Sequence, residues 1–297
     1  MKKLLTSLIL TLTLTANAQL TVVSPFSAGS IVDITCRKIF DIYDSMNGSS
    51  TVFIVMPGAD HMIAHRHFIT MTEHSVFCAG SGVGGFNQHT SPKISPPVDT
   101  LKPIIDVYSL NHFILAPAKS PSLEELMINS KRTGKTILVG APSSNAALVL
   151  THVLEKNNAK FEVVVYKRPT DAVVSLVDGS LDTYVDGGSI KLLGDIAGIK
   201  EIAHVSIGSD KTTTVNLHKK YRDLENIVSK VTIYARANIS DNEIQLLNTR
   251  LNTIINSDQF QIFRKERLSM VQMTNGTVKQ ANQTITNIGV YLKNVHN

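Results

Sequence analysis

Two stretches of small and hydroxylated residues carry the chemistry that this sequence offers. In "PFSAGSIVD", residues 25–33, the group Phe26, Ser27, Ala28, Gly29 and Ser30 follows an apolar run at 20–23 and precedes a helically spaced segment carrying Asp33. Small side chains let backbone N–H groups approach a guest. The first N–H groups of a helix have no partner within the helix, so such a turn is a ready seat for an anion. "GAPSSN", 140–145, repeats the arrangement, with Ser143, Ser144 and Asn145 standing ahead of Ala146 at the start of a second helical segment. One of these residues is needed as an ordinary N-cap, and three in a row exceed that need.

Other motifs are weaker. "GSGVGG", 80–85, fits G-x-G-x-x-G after a strand, but the proline-rich stretch that follows cannot open the helix a dinucleotide site requires, so these glycines are expected to shape a loop. His61, His65 and His67 in "HMIAHRH" include an i, i+4 pair. No glutamate follows the first histidine and no third ligand is placed, so the expectation is an exposed polar helix face and no metal. A G-x-S-x-G elbow is absent from the sequence, and neither cysteine stands in a nucleophile motif. No catalytic residue and no cofactor is predicted.

The elements that must position the two turns alternate. Strands at 20–24, 51–56 and 75–79 are interleaved with helices at 31–44 and 62–71; a loop at 89–103 holds four prolines, and extended segments occupy 104–117. A second block has a short helix capped by Ser120 or Ser122, strands at 136–139, 162–166 and 183–185, and helices at 146–157 and 170–178. A strand at 230–235 and helices at 241–257, 258–266 and 277–294 complete the chain. Continuous apolar strands between helices predict mainly parallel sheets with both faces covered. Two such α/β units, joined at about 113–119 and 229–237, form two lobes with two hinge crossings: 19–115 with 234–297, and 116–233.

The chain has 297 residues, 43% hydrophobic and 18% charged, enough for two ordinary cores. Residues 1–18 read as a secretory leader: Lys2 and Lys3, an apolar core at 4–14, and an Ala16-Asn17-Ala18 cleavage pattern. That core is shorter than the roughly 20 residues that span a bilayer. Losing its two lysines takes the net charge from +5 to +3, without a basic block, so nucleic acid is not an expected partner. Cys36 and Cys78 stand among apolar neighbours, one in a helix and one in a strand; an exported chain permits their bridge, but buried free thiols are expected.

These residues resemble the periplasmic solute receptors of tripartite tricarboxylate transporters, the Bug or TctC-like family. Members look like "PFPAGGSTD" where this chain has "PFSAGSIVD", and like "N-x-PGA" where it has "VMPGAD" at 55–60. "VPYKGGAPALTDLLGGQVDLMFD" runs without a gap beside "VVYKRPTDAVVSLVDGSLDTYVD", 164–186, sharing Tyr166, Lys167, Gly179, Asp182 and Asp186 among others. The resemblance implies an α/β two-lobed type II periplasmic binding protein, monomeric, holding a small carboxylate in its cleft and delivering it to transporter membrane subunits. The alternative is a receptor for a membrane signalling protein; a secreted hydrolase lacks its parts. Implied ligand contacts are the backbone from Phe26 to Ser30 together with Asp33, the loop from Ala79 to Ser81, Ser143 to Ala146, Tyr166 and Asp186. Ser30 replaces a second glycine, the "GAPSSNAAL" turn is shortened, and Arg168 and Pro169 replace a glycine pair. Arg168 is expected to face solvent.

Overall fold

The computed structural model describes residues 19–72, 74–87, 93, 95–207, 213–268, 271–274 and 276–295; the expected leader at 1–18 lies outside them. In chain order the elements are β1 (Thr21–Ser24), α1 (Ile31–Asn47), β2 (Val52–Val55), α2 (Met62–Thr70), β3 (Ser75–Gly80), β4 (Leu101–Ser109) and β5 (His112–Pro117). Then come α3 (Leu123–Thr133), β6 (Ile137–Ala141), α4 (Ser144–Lys156), β7 (Phe161–Val165), α5 (Pro169–Val177), β8 (Thr183–Asp186), β9 (Ile199–Val205) and β10 (Val215–Asn216). The chain closes with β11 (Lys230–Arg236), α6 (Asp241–Ile255), α7 (Asp258–Arg267), β12 (Gln272–Met273) and α8 (Val278–Val295).

Two six-stranded sheets result, in the orders β12-β4-β11-β3-β1-β2 and β10-β9-β5-β8-β6-β7. Each is mixed, with most of its strands sharing one direction, as the sequence predicted. The β1, β2 and β3 strands run parallel, as do β6, β7 and β8, but β11 and β5, the strands that enter each sheet from the other, run antiparallel to their neighbours. A strand arriving from the other lobe needs no crossover helix, which removes the constraint that makes βαβ units parallel. The chain changes sheets between Ser109 and His112 and again before Lys230. Strand β5 therefore lies wholly in the second sheet and β11 wholly in the first, so the expected cuts at 115/116 and 233/234 fall inside strands.

Local signals explain the helices. Ser30 Oγ accepts from Asp33 N to cap α1, which stops at Gly48 in the left-handed region (φ 62°). Capping boxes, Ser122 with Glu125 and Ser240 with Glu243, open α3 and α6. Residues 89–92 and 94 of the expected 89–103 loop lie outside the described residues, and its end is not loop: Leu101, Lys102 and Pro103 begin β4, and Pro103 sits beside a register shift where its missing N–H is tolerated.

The first lobe's core joins the inner face of α1 to β1, β3, β4 and β11, and α6 and α7 pack on it. There Cys36 and Cys78 form a disulfide, with Cα atoms 6.5 Å apart, which corrects the expectation of free thiols. The buried face of α1 lies directly over β3, and the apolar neighbours that suggested isolation are the packing that brings the two sulfurs together. Helix α8 contacts both lobes: it packs on β4, and Tyr291 hydrogen-bonds His152 of α4, whose other ring nitrogen meets Asp223 at 2.8 Å. Among the described residues, no helix is long and apolar enough to cross a membrane.

Candidate functional site

Between the lobes lies a cavity of about 160 Å³. The N-termini of α1 and α4 both open on it, one from each lobe, and the sequence-predicted Phe26, Ser30, Ser143, Asn145, Ala146 and Asp186 line it. The remaining predicted residues lie elsewhere. Ala28 and Gly29 are exposed on the turn, Asp33 is buried behind it, and Ala79 is in the core of the first lobe. Ser81 is buried and ties to β11, its N–H donating to the Lys230 carbonyl at 2.8 Å and its Oγ accepting from Lys230 N at 3.0 Å. Tyr166 packs edge-on against Tyr184 in the second lobe.

The donors at the two helix starts are mostly engaged by protein. In the first lobe Gly29 N donates to Asp33 Oδ2 at 2.8 Å, Asp33 N to Ser30 Oγ at 3.2 Å, and Ser30 N to the Ser27 carbonyl at 3.1 Å. Asp33 is in turn held by Arg37, one helical turn on, at 3.1 Å. In the second lobe Ala146 N donates to Ser143 Oγ at 3.1 Å, leaving the Ser143 hydroxyl proton free to point elsewhere.

Further donors reach across the gap. Ser27 Oγ donates to the Lys167 carbonyl at 2.6 Å and Ile31 N to Ser189 Oγ at 3.4 Å. Ser144 donates twice to Asp60, from N to Oδ1 and from Oγ to Oδ2, both at 2.8 Å. The lobes are thus in contact, and a helix start of each is met by a side chain of the other. Packing is close enough to need glycine at one point: a Cβ on Gly82 would lie 2.1 Å from Asn145 Nδ2, which bonds Ser229 Oγ at 2.9 Å. Of the G-x-G-x-x-G glycines, Gly80 ends β3, and Gly82 and Gly85 lie on a single helical turn, Gly82–Gly85, rather than in the predicted loop.

Four residues that sequence reasoning missed shape the cleft. Ala59, Asp60 and His61 follow one another in the left-handed region, with φ of 47°, 48° and 73°. Such a conformation costs a non-glycine residue about 1–2 kcal/mol, and persists where the surroundings over-determine it. Here Asn87 Nδ2 holds the Asp60 carbonyl at 2.8 Å, and the His61 ring sits 4.6 Å from Phe26. Burial pushes the His61 imidazole down to about 4, opposed by the Asp60 charge. The expected exposed histidine face is corrected: His61 and His65 are both buried, and His65 stacks on Phe77 and meets Thr100 Oγ1 at 3.2 Å. Among the described residues no cluster of metal-ligating side chains forms.

His112, the fourth, begins β5 and is fully buried at the cavity wall, with neither ring nitrogen in a hydrogen bond of good geometry. Burial lowers its imidazole to about 4, the poorly aligned Leu110 carbonyl opposing. Asp186 is buried too, and burial raises its carboxyl to about 6 against the N–H groups of Ile190 and Lys191, which donate to Oδ2 at 3.0 and 3.2 Å. Of the charged side chains that line the cavity among the described residues, Asp60 and Asp186 are acidic and Lys167 is basic. Arg168 is exposed and pairs with Asp171 at 2.9 Å.

The fold is that of the periplasmic binding proteins. A periplasmic transporter structure superposes with a TM-score of 0.80 at 13% identity, over 95% of this chain and 97% of that one. Rpa4515 of R. palustris with adipate gives 0.80 at 16% identity over 95% and 97%. MatC of Rhodopseudomonas palustris with bound malate gives 0.74 at 17% over 92% and 98%. The periplasmic binding protein BugD has the same architecture. No protein-family model matches the sequence. No curated protein matches it either.

Proposed function

We propose that this protein is a periplasmic solute receptor of the tripartite tricarboxylate transporter type, which closes two lobes over a small organic carboxylate and hands it to the transporter's membrane subunits. The observation that carries the reading is the interlobe cavity, onto which one helix N-terminus opens from each side. Two solved neighbours that share the fold hold adipate and malate, both small carboxylates, which supports the ligand class. The leader at 1–18 would deliver the chain to the periplasm, where the Cys36–Cys78 bridge is at home.

The expected mechanism is a population shift: a ligand that touches both lobes stabilises the closed form by its differential contacts, and closure is what the membrane partner reads. Because backbone donors are largely engaged, side chains carry much of the recognition. Ser143 and Asn145 offer polar hydrogens and Lys167 a positive charge at the cavity. Micromolar affinity corresponds to about −8 kcal/mol. Charge-assisted hydrogen bonds of about 1.5–3 kcal/mol each supply that with a handful of contacts, once association costs are met. The receptor acts as a monomer and performs no chemistry on its ligand.

Mass spectrometry of small molecules released by denaturing protein purified from a periplasmic extract tests this reading. The expected result is a stoichiometric carboxylic acid small enough for the cavity. A released compound without a carboxyl group, or conversion of added acids by the purified protein, would contradict it.

A further inference from the structure

The helix start that the sequence offers for a ligand carboxylate is already met by a carboxylate of the protein. Asp60 comes from the first lobe, and its two oxygens take the backbone N–H and the hydroxyl of Ser144, the first residue of α4, at 2.8 Å each. This is how a carboxylate ligand would use a helix N-terminus, with charge set against the positive end of the helix dipole. Asp60 is not there by relaxation of an ordinary turn, since it and both neighbours hold left-handed backbone and Asn87 fixes its carbonyl. The same side chain lines the cavity.

Its charge matters as much as its geometry. With Asp186 on the opposite wall and Lys167 as the basic lining side chain, the charged groups of the cavity sum to one negative charge when all are ionised. His61 and His112, which also line it, are neutral near pH 7. A ligand with two carboxylates would bring its second charge toward that excess and find the α4 donors taken. A ligand with one carboxylate can set its single charge against Lys167 and has no second charge to place.

We propose that Asp60 sets the charge class of the ligand: by seating its own carboxylate on the start of α4 it excludes a second ligand carboxylate and restricts the cleft to monocarboxylates. The inference rests on the carboxylate-receptor reading above and narrows it. Asp60 also ties the lobes together, so a role in closure alone must be separable from a role in selection. The two differ in outcome. A closure contact strengthens binding of every ligand alike, whereas a selecting group changes the ratio between ligand classes.

The test is calorimetry on two length-matched pairs, butyrate with succinate and hexanoate with adipate, using the wild-type protein, Asp60→Gly and Asp60→Asn. Glycine suits the left-handed backbone at this position, so the first variant removes the carboxylate without adding strain. Asparagine keeps an acceptor for Ser144 while removing the charge. The wild type is expected to prefer the monocarboxylate of each pair. Asp60→Gly is expected to shift the dicarboxylate-to-monocarboxylate affinity ratio by at least about tenfold toward the dicarboxylate, the size of one charge-assisted contact, with Asp60→Asn between. A ratio that stays the same while all affinities fall together would overturn the proposal and leave Asp60 as a closure contact. A wild type that prefers the dicarboxylates would also overturn it. Failure of all four acids to bind either wild type or variants would instead overturn the carboxylate-receptor reading on which the proposal stands.

Discussion

The turns at 25–30 and 140–145 look alike in sequence, and the structure uses them differently. The first is closed by its own helix: Asp33, clamped by Arg37, holds Gly29 N, and Ser30 holds Asp33 N, so separating the lobes would free only the Ile31 donor and the Ser27 hydroxyl. The second depends on its opposite. Ser144 gives both its donors to Asp60 of the other lobe, and opening the cleft would expose them together. The first turn is therefore held within its own lobe, and the second is held by a contact across the cleft. Similar small-residue spacing does not imply a similar duty, because the acceptor of the second turn is far away in sequence.

The largest expected effect separates the lobes by acid. His61 and His65 in the first lobe titrate near 4 when folded against the usual 6.5, so the unfolded chain binds more protons between those values and stability falls as pH drops through the window. Each contributes up to about 3 kcal/mol. In the second lobe His112 has the same sign, but Asp186 opposes it: raised from 3.8 to about 6, it favours the folded state at low pH, and that contribution is lost as pH rises through about 6. Hydrogen exchange at pH 7 and 4.5, corrected for intrinsic rates, should show the first lobe losing more protection than the second. Asp186→Asn should reduce the difference by making the second lobe more acid-sensitive. Equal losses in the wild type would break the comparison.

Breaking the covalent tie comes next. The Cys36–Cys78 bridge, with a sequence separation of 42, constrains the unfolded first lobe alone. Replacing both cysteines by alanine should cost about 3–4 kcal/mol, read as a fall in the denaturant midpoint. Smaller again is Asp33→Ala, which removes the buried carboxylate that accepts from Gly29 N and pairs with the part-exposed Arg37; about 2 kcal/mol is expected, the scale of one hydrogen bond to a charged group. Asp60→Gly, by contrast, should change stability by less than about 1 kcal/mol, because relief of left-handed strain offsets the lost bonds. A larger loss at Asp60 than at Asp33 would reverse the distinction between the two turns. The smallest effect is Ser189→Ala, which removes a 3.4 Å bond and should cost no more than about 0.5 kcal/mol.

Much of this architecture was legible in the chain, for local reasons. Apolar runs at β1, β3 and β6 and the Ser122 cap are signals a few residues long, and α3 begins where that cap stands. Lys200 and Glu201 interrupt the apolar run of β9, so the segment 187–229 gave no strand to the reading. Antiparallel entry of β5 and β11 was hidden because strand direction follows from the path between lobes rather than from residue type. At the site, the two small-residue turns were visible, but Asp60 was not: its duty comes from a left-handed kink and a partner 84 positions away. His112 did leave a trace, as a polar residue opening the apolar stretch "HFILAP". For the cysteines the useful sign was an even pair behind an expected secretory leader, and their apolar neighbours pointed the wrong way.

The central claim is that the lobes clamp a carboxylate. Spin labels on cysteines introduced at exposed Met46 on α1 and exposed Val174 on α5 would report the interlobe distance directly by pulsed electron resonance. The account predicts that butyrate, succinate, hexanoate or adipate, titrated to saturation, narrows the distribution to one distance matching the closed arrangement. A distribution unmoved by any of the four would contradict it.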